Sequence, residues 1–183
     1  MRKVYFIIPD FDCSITGGTL YDKNILLHLK KNHVLIKEVK VHYNINTISL
    51  HKKISSIPKG SVIILDGYLA NKIKTKIANR LNILIHHPCS LETSNNKMSD
   101  VNLYLSERKV FNDAESLITV SKTMRKVILK YLNTYKKVCV AYPGIDKIFC
   151  KQQINTDSKN ILSVGNVIPR KGYHILIEAL DRV

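Results

Sequence analysis

Two adjacent histidines, His86 and His87, open the string His86-His87-Pro88-Cys89-Ser90-Leu91-Glu92, directly behind the apolar pair Leu84-Ile85. If that apolar pair ends a strand and Pro88 breaks the ladder, both imidazoles arrive at the carboxyl edge, where a parallel sheet presents its ligand-facing groups. An imidazole there can take a hydroxyl proton near neutral pH or donate a hydrogen bond to a substrate oxygen, and Glu92 is near enough in sequence to orient it. A histidine pair at a strand end serves capping and packing equally well. The polar stretch from Thr93 to Asp100 suits a mobile loop over a cleft.

Two further loops carry residues suited to an anion. Gly17-Gly18 lies between the first apolar run and a helix expected to begin near Thr19. Glycines let backbone N–H groups approach a ligand closely, and a helix N-terminus beside them favours a phosphate, although a structural turn would use the same residues. Gly165-Asn166-Val167-Ile168-Pro169-Arg170-Lys171-Gly172 sets two adjacent cations at the start of another expected helix. Backbone donors, helix dipole and side-chain charge there all suit a diphosphate, and a solvated basic turn would look alike. Neither G-x-G-x-x-G nor G-x-x-x-x-G-K-[ST] occurs, and Glu38 stands inside the second expected strand rather than at its end. Dinucleotide-dependent dehydrogenases and P-loop enzymes are therefore disfavoured.

The elements that would position these residues follow from hydrophobic patterning. Strands are expected at Lys3 to Pro9, Val34 to Val41, Ser61 to Asp66, Asn82 to His86, Ser116 to Ser121, Lys137 to Tyr142 and Ile161 to Gly165. Each is a short, β-branched apolar run. Met124, Val127, Ile128 and Tyr131 repeat at helical spacing, as do Tyr173, Leu176, Ile177 and Leu180. Alternating strands and helices predict a doubly wound parallel α/β sheet. The polar segment 146–160 reads as a linker between a first domain over 1–145 and a second opening at Ile161. One strand, a loop and a helix cannot bury two sheet faces, so that second domain is expected to be incomplete at Val183.

Composition sets outer limits. The 183 residues allow one domain plus a fragment, and the formal charge of +15 favours an anionic partner without naming it. The apolar blocks are too short to span a bilayer. Met1-Arg2-Lys3 runs into Val4-Tyr5-Phe6-Ile7-Ile8 and then Pro9-Asp10, which fits no signal peptide, so a cytoplasmic protein is expected. Cys13, Cys89, Cys139 and Cys150 lack the paired spacing of a metal or redox motif, and no metal is expected.

Read together, the loops fall in the order seen in the retaining glycosyltransferases of family 4, whose GT-B architecture sets two Rossmann-like domains face to face. The resemblance runs through the Gly17-Gly18 turn, IHHPCSLE, SERKVFNDAESLITVSKTMRKVI (Ser106 to Ile128), VAYPGID (Val140 to Asp146) and SVGNVIPRKGYHILIEAL (Ser163 to Leu180), spanning nearly the whole chain. It implies an acceptor-binding first domain and the start of a nucleotide-sugar-binding second domain. It also implies retaining transfer of a sugar to an acceptor hydroxyl, with the nucleotide-sugar as substrate and no further cofactor. Gly17 and Gly18 would then approach the donor diphosphate, His86, with His87 in reserve, would touch the transferring sugar or acceptor hydroxyl, and Arg170 and Lys171 would clamp the diphosphate. Many members carry Arg immediately after the glycine where this chain has Asn166. The family's later acidic motif, Glu-x7-Glu, is missing, so the chain alone is expected to be an inactive or partial N-terminal portion, either a gene fragment or one half of a split enzyme. The rival reading is a non-catalytic module that binds a glycan, a lipid or a protein. Nucleic acid is disfavoured, since only net charge supports it.

One more pattern stands apart from the loops. On the helix near Lys122 to Tyr131, Lys122, Arg125, Lys126 and Lys130 segregate from the apolar stripe, with Lys136 and Lys137 beyond. Such cations either face solvent or bring the domain to an anionic membrane surface carrying a lipid-linked acceptor.

Overall fold

A computed structural model of the chain describes residues 3–10, 15–91, 97–132, 137–145 and 160–182, without the side chains of residues 97–100 and 170. The chain divides into two compact units, Met1–Pro143 and Gly144–Val183. In the first unit, six parallel strands form one sheet in the order β2-β1-β3-β4-β5-β6. They are β1 (Val4–Asp10), β2 (Ile36–His42), β3 (Val62–Asp66), β4 (Arg80–Ile85), β5 (Ser116–Thr119) and β6 (Val138–Val140). Helices α1 (Gly17–Lys31), α2 (Thr47–Ser55), α3 (Lys97–Asp113) and α4 (Lys122–Leu132) connect them, and β3 passes to β4 through a 3-10 segment, Gly67–Lys72. This is the doubly wound α/β arrangement that the patterning predicts. Strand order reverses between β1 and β3, the switch point beside which such sheets bind ligands.

Each central strand splits its side chains between two cores. Ile7, Ile63, Leu65, Ile83 and Ile85 pack with Leu50 and Ile54 of α2, Phe111 of α3 and Ile128 and Tyr131 of α4. Phe6, Ile8 and Leu84 point the other way and pack with Tyr21 and Leu26 of α1. The period of two dictates this division. Burying each such side chain contributes about 1.5–3 kcal/mol, so the sheet has a stiff foundation at its carboxyl edge.

Three local expectations are revised. Helix α1 begins at Gly17 rather than near Thr19, because Thr16 caps it: its hydroxyl accepts the Thr19 N–H and the Thr19 hydroxyl accepts the Thr16 N–H. Of the presumed mobile loop, Lys97 to Asp100 already belong to α3, while residues 93–96 lie outside the described residues. Ile161 to Gly165 is no strand, since a strand needs a ladder and this segment finds no partner strand among the described residues.

The second unit instead has a 3-10 turn (Pro169–Lys171), Gly172 in the left-handed region at φ 64°, and α5 (Tyr173–Leu180). Leu162, Val164 and Val167 are exposed. The linker 146–159 lies outside the described residues. Of the cysteines, Cys139 is a free, exposed thiol, Cys89 is half-buried, and Cys13 and Cys150 lie outside the described residues. No described helix is long and apolar enough to cross a membrane.

On α4 the apolar stripe is buried through Ile128, Tyr131 and Leu132, and its cations are exposed. Arg125 is tied down, its Nε donating to the Val138 carbonyl at 3.0 Å.

Candidate functional site

Strand parity builds the site. Asp66 continues the face of Val62 and Ile64, and His86, one residue beyond β4, continues that of Asn82 and Leu84. Both arrive under α1. Asp22, one turn into that helix, meets them: His86 Nε2 lies 3.0 Å from Asp22 Oδ1 and 3.9 Å from Asp66 Oδ2. A carboxylate only accepts, so Nε2–H is the donor and Nδ1 remains for other chemistry. Asp66 Oδ1 accepts the Tyr68 N–H at 2.8 Å, which leaves Oδ2 turned to the cluster. Asp22 and Asp66 are nearly sealed from solvent, at 2% and 5% exposure.

Two buried carboxylates with one imidazole hold a proton tightly. Burial, then the charge of Asp22, pushes Asp66 up to about 7. Burial alone would lower His86, but its hydrogen bond to Asp22 and the charges of Asp66 and Asp22 outweigh that and raise it. Near neutral pH the cluster can therefore both give and receive protons. One ligand atom from each of Asp22, Asp66 and His86 falls within 4.8 Å of the others, a set that a divalent cation could also bridge.

Gly18 completes this corner. A Cβ there would rest in van der Waals contact with the imidazole, 3.4 Å from His86 Cδ2, so the first turn of α1 lies directly against His86; at Gly17 a Cβ would meet open space. The Thr16 cap takes the Thr19 N–H, and the N–H groups of Gly17 and Gly18 have no intrahelical acceptor. The Tyr21 ring stands edge-on to His86 at 5.3 Å, and its hydroxyl donates to the Ala141 carbonyl at 2.9 Å.

The segment after His86 is held by an acid that sequence reading passed over. Glu107 of α3, fully buried, accepts the Cys89 N–H at 2.9 Å and the Ser90 N–H at 3.0 Å. Tyr131 adds its hydroxyl at 3.3 Å to the same carboxylate. Glu92, the expected orienting group, lies outside the described residues; Asp22 orients His86 and Glu107 fastens the turn behind it. His87 does not join the cluster. Its Nε2 is buried without a hydrogen-bond partner among the described residues.

In the second unit, Lys171 is exposed beside Gly172, and α5 starts without a side-chain cap. The Tyr173 hydroxyl donates to the Gly165 carbonyl at 2.9 Å, folding the loop back on the helix start. Arg170 sits in the same 3-10 turn.

No family model and no curated protein matches the chain. What its site can do rests on the geometry alone.

Asp22 and Asp66 were missing from the sequence-based site. Asp66 was recognisable as the polar terminus of an apolar strand sharing parity with His86. Asp22 could have been found as a lone acid among Tyr21, Ile25 and Leu26 on the apolar side of α1.

Proposed function

We propose that this chain is the acceptor-side portion of a retaining glycosyltransferase that moves a sugar from a nucleotide-sugar to an acceptor hydroxyl. The observation that carries the reading is the Asp22–His86–Asp66 cluster, set with Gly18 at the carboxyl edge of a parallel sheet. His86 is placed to hydrogen-bond the sugar or the acceptor hydroxyl, Asp22 fixes its tautomer, and Asp66 buffers the proton. The first-turn amides of Gly17 and Gly18 suit a diphosphate oxygen. Lys171, with Arg170 beside it, supplies cations at the uncapped start of α5. In retaining transfer by front-face attack the leaving diphosphate helps to take the acceptor proton, so holding its charge does most of the catalytic work. The donor is a substrate, no further cofactor is invoked, and the reaction fits a cytoplasmic setting.

Saturation-transfer NMR with a panel of nucleoside-diphosphate sugars at millimolar concentration tests this on the chain as it stands. Contacts to sugar and diphosphate are expected, weakened by His86→Asn. Absence of every donor contact sinks the transferase reading. If a glycan or lipid still made contact, the chain would be a binding module built on the same sheet.

A further inference from the structure

From Ser116 to Ile145 the sequence holds six cations, Lys122, Arg125, Lys126, Lys130, Lys136 and Lys137, and no acid. On α4 the inward turn of Ile128, Tyr131 and Leu132 sets Lys122, Lys126 and Lys130, spaced every fourth residue, in one exposed row. Arg125 flanks the row, held by the Val138 carbonyl, and Lys137 is exposed just before β6. Among the described residues, no carboxylate stands within ion-pair distance of the three lysines in the row.

The acids nearest in sequence are few and already engaged. Glu107 is fully buried with its own donors, and Glu115 is held by Arg80. Asp113, the last residue of α3, lines a small cleft with Lys74, Lys76 and Lys109, so cations outnumber it there. In the first turn of α3, Lys97 and Asp100 balance in the sequence, and their side chains lie outside the described ones. The α1 face differs: Asp10, Asp22 and Glu38 stand among Lys23, Lys30 and Lys40, and their charges cancel.

Helix α3 adds an apolar element beside the row. Tyr104 meets Tyr131 with ring centroids 4.7 Å apart, which sets α3 against α4. Glu107, Val110 and Phe111 turn inward, so Val101 and Leu105, one turn apart, fall on the outer side, 52% and 55% exposed. Two exposed apolar side chains beside a row of unanswered lysines suit a surface that is anionic at its face and apolar beneath. A nucleic acid would use the lysines alone, since Val101 and Leu105 offer it neither a hydrogen bond nor a stacking plane.

We infer that the outer side of α3 and α4 docks on an anionic phospholipid surface, with Lys122, Lys126 and Lys130 at the head groups and Val101 and Leu105 at the acyl boundary. The apolar stripe of α4 stays in the core, so the attachment is peripheral and reversible. It stands independently of the glycosyl-transfer reading.

Co-sedimentation with phosphatidylcholine vesicles, with and without phosphatidylglycerol, tests this on the whole chain. Binding is expected only with phosphatidylglycerol, and it should weaken as salt rises. Each lysine near such a surface is worth about fivefold in affinity, so Lys122→Gln, Lys126→Gln and Lys130→Gln together should weaken binding about a hundredfold. On α1, Lys23→Gln, Lys30→Gln and Lys31→Gln remove the same charge from the other face and should leave affinity within about twofold, because charges beyond a Debye length are screened. The sequence contains no tryptophan, so Leu105→Trp gives a single depth probe whose emission should shift to the blue on anionic vesicles. All these side chains are exposed, which keeps the variants folded, and circular dichroism checks it.

Equal loss in the α1 and α4 variants would reduce the effect to net charge and overturn the docking face. So would binding to phosphatidylcholine alone, no binding to either vesicle, or an unshifted emission in Leu105→Trp. Polyuridylate and polyglutamate form the last arm: either one bound more tightly than the anionic vesicles would hand the face to nucleic acid or to an acidic protein.

Discussion

On the face covered by α2, α3 and α4, Ile7, Ile63, Leu65, Ile83 and Leu117 are fully buried with Leu50, Phe111 and Ile128. The face under α1 has a smaller core, Phe6, Ile8, Tyr21, Leu26 and Leu84, with Ile64, Ile118 and Val120 only partly covered. Yet that thinner face holds Asp22, Asp66 and His86. Buried charge is costly, and the molecule places it where a single helix covers the strands and a groove lies open alongside. Among the described residues, the face with three helices buries one carboxylate, Glu107, and answers it with two backbone N–H groups and a tyrosine. One face is packed for stability, and the other carries the titratable cluster.

The sharpest way to break this contrast is to empty each core. Phe111→Ala is expected to cost about 3–5 kcal/mol, while Leu26→Ala beneath α1, beside the groove, should cost nearer 2–3 kcal/mol. Denaturant unfolding measures both, and equal losses would erase the distinction. Next comes Glu107→Gln, which exchanges a charge-assisted acceptor for an amide and should cost about 2 kcal/mol. Hydrogen exchange at Cys89 and Ser90 should quicken with it, while the cluster retains its titration.

The pH dependence of stability separates the faces further. Asp66 has a folded value of about 7 against 3.8 ordinarily, so between these values the native state binds the extra proton. Stability is therefore lost as pH rises through that window, and the raised His86 adds the same sign above its usual range. Melting temperature should fall from about pH 5 to about pH 8. Asp66→Asn keeps the acceptor for Tyr68 and should flatten the slope by about 1–3 kcal/mol over that interval. A slope unchanged in the variant would assign the effect to other groups.

The smallest effects concern the start of α1. Gly17→Ala enters open space and should stabilise by about 0.5–1 kcal/mol through helix propensity. Gly18→Ala should gain a similar amount, its Cβ resting against the His86 ring, and the His86 imidazole resonances should move in that variant alone.

How far these features could be read in advance depended on what made them. The inner strands β1, β3, β4 and β5 were legible because buried parallel strands are largely apolar runs. Helix α4 was legible because its stripe of Met124, Val127, Ile128 and Tyr131 obeys one period. His86 was found from its place behind Leu84-Ile85, and Gly18 from its chemistry. Ile161 to Gly165 misled, since an apolar run states what a strand would bury and not whether a neighbour exists to pair with it. Asp22, Asp66 and Glu107 stayed hidden for a related reason: an acid reads as surface until the fold seals it. Parity along β3 and β4 carried the lost information, as Asp66 and His86 fall on the face of Ile64 and Leu84.

The hydrogen bond from Tyr21 to Ala141 joins residues 120 positions apart. Ala141 is itself placed by its N–H on the Thr119 carbonyl, so the bond waits until β5 and β6 are in register. Contacts that close so long a loop form late in folding. Tyr21→Phe should therefore quicken unfolding in stopped-flow measurements and leave the folding rate unaltered. A ribosome-bound chain that has not yet presented Ala141 can have β1 and α1 in hand while the ring beside His86 still lacks its latch, so the corner that holds the Asp22–His86–Asp66 cluster is among the last to be fixed.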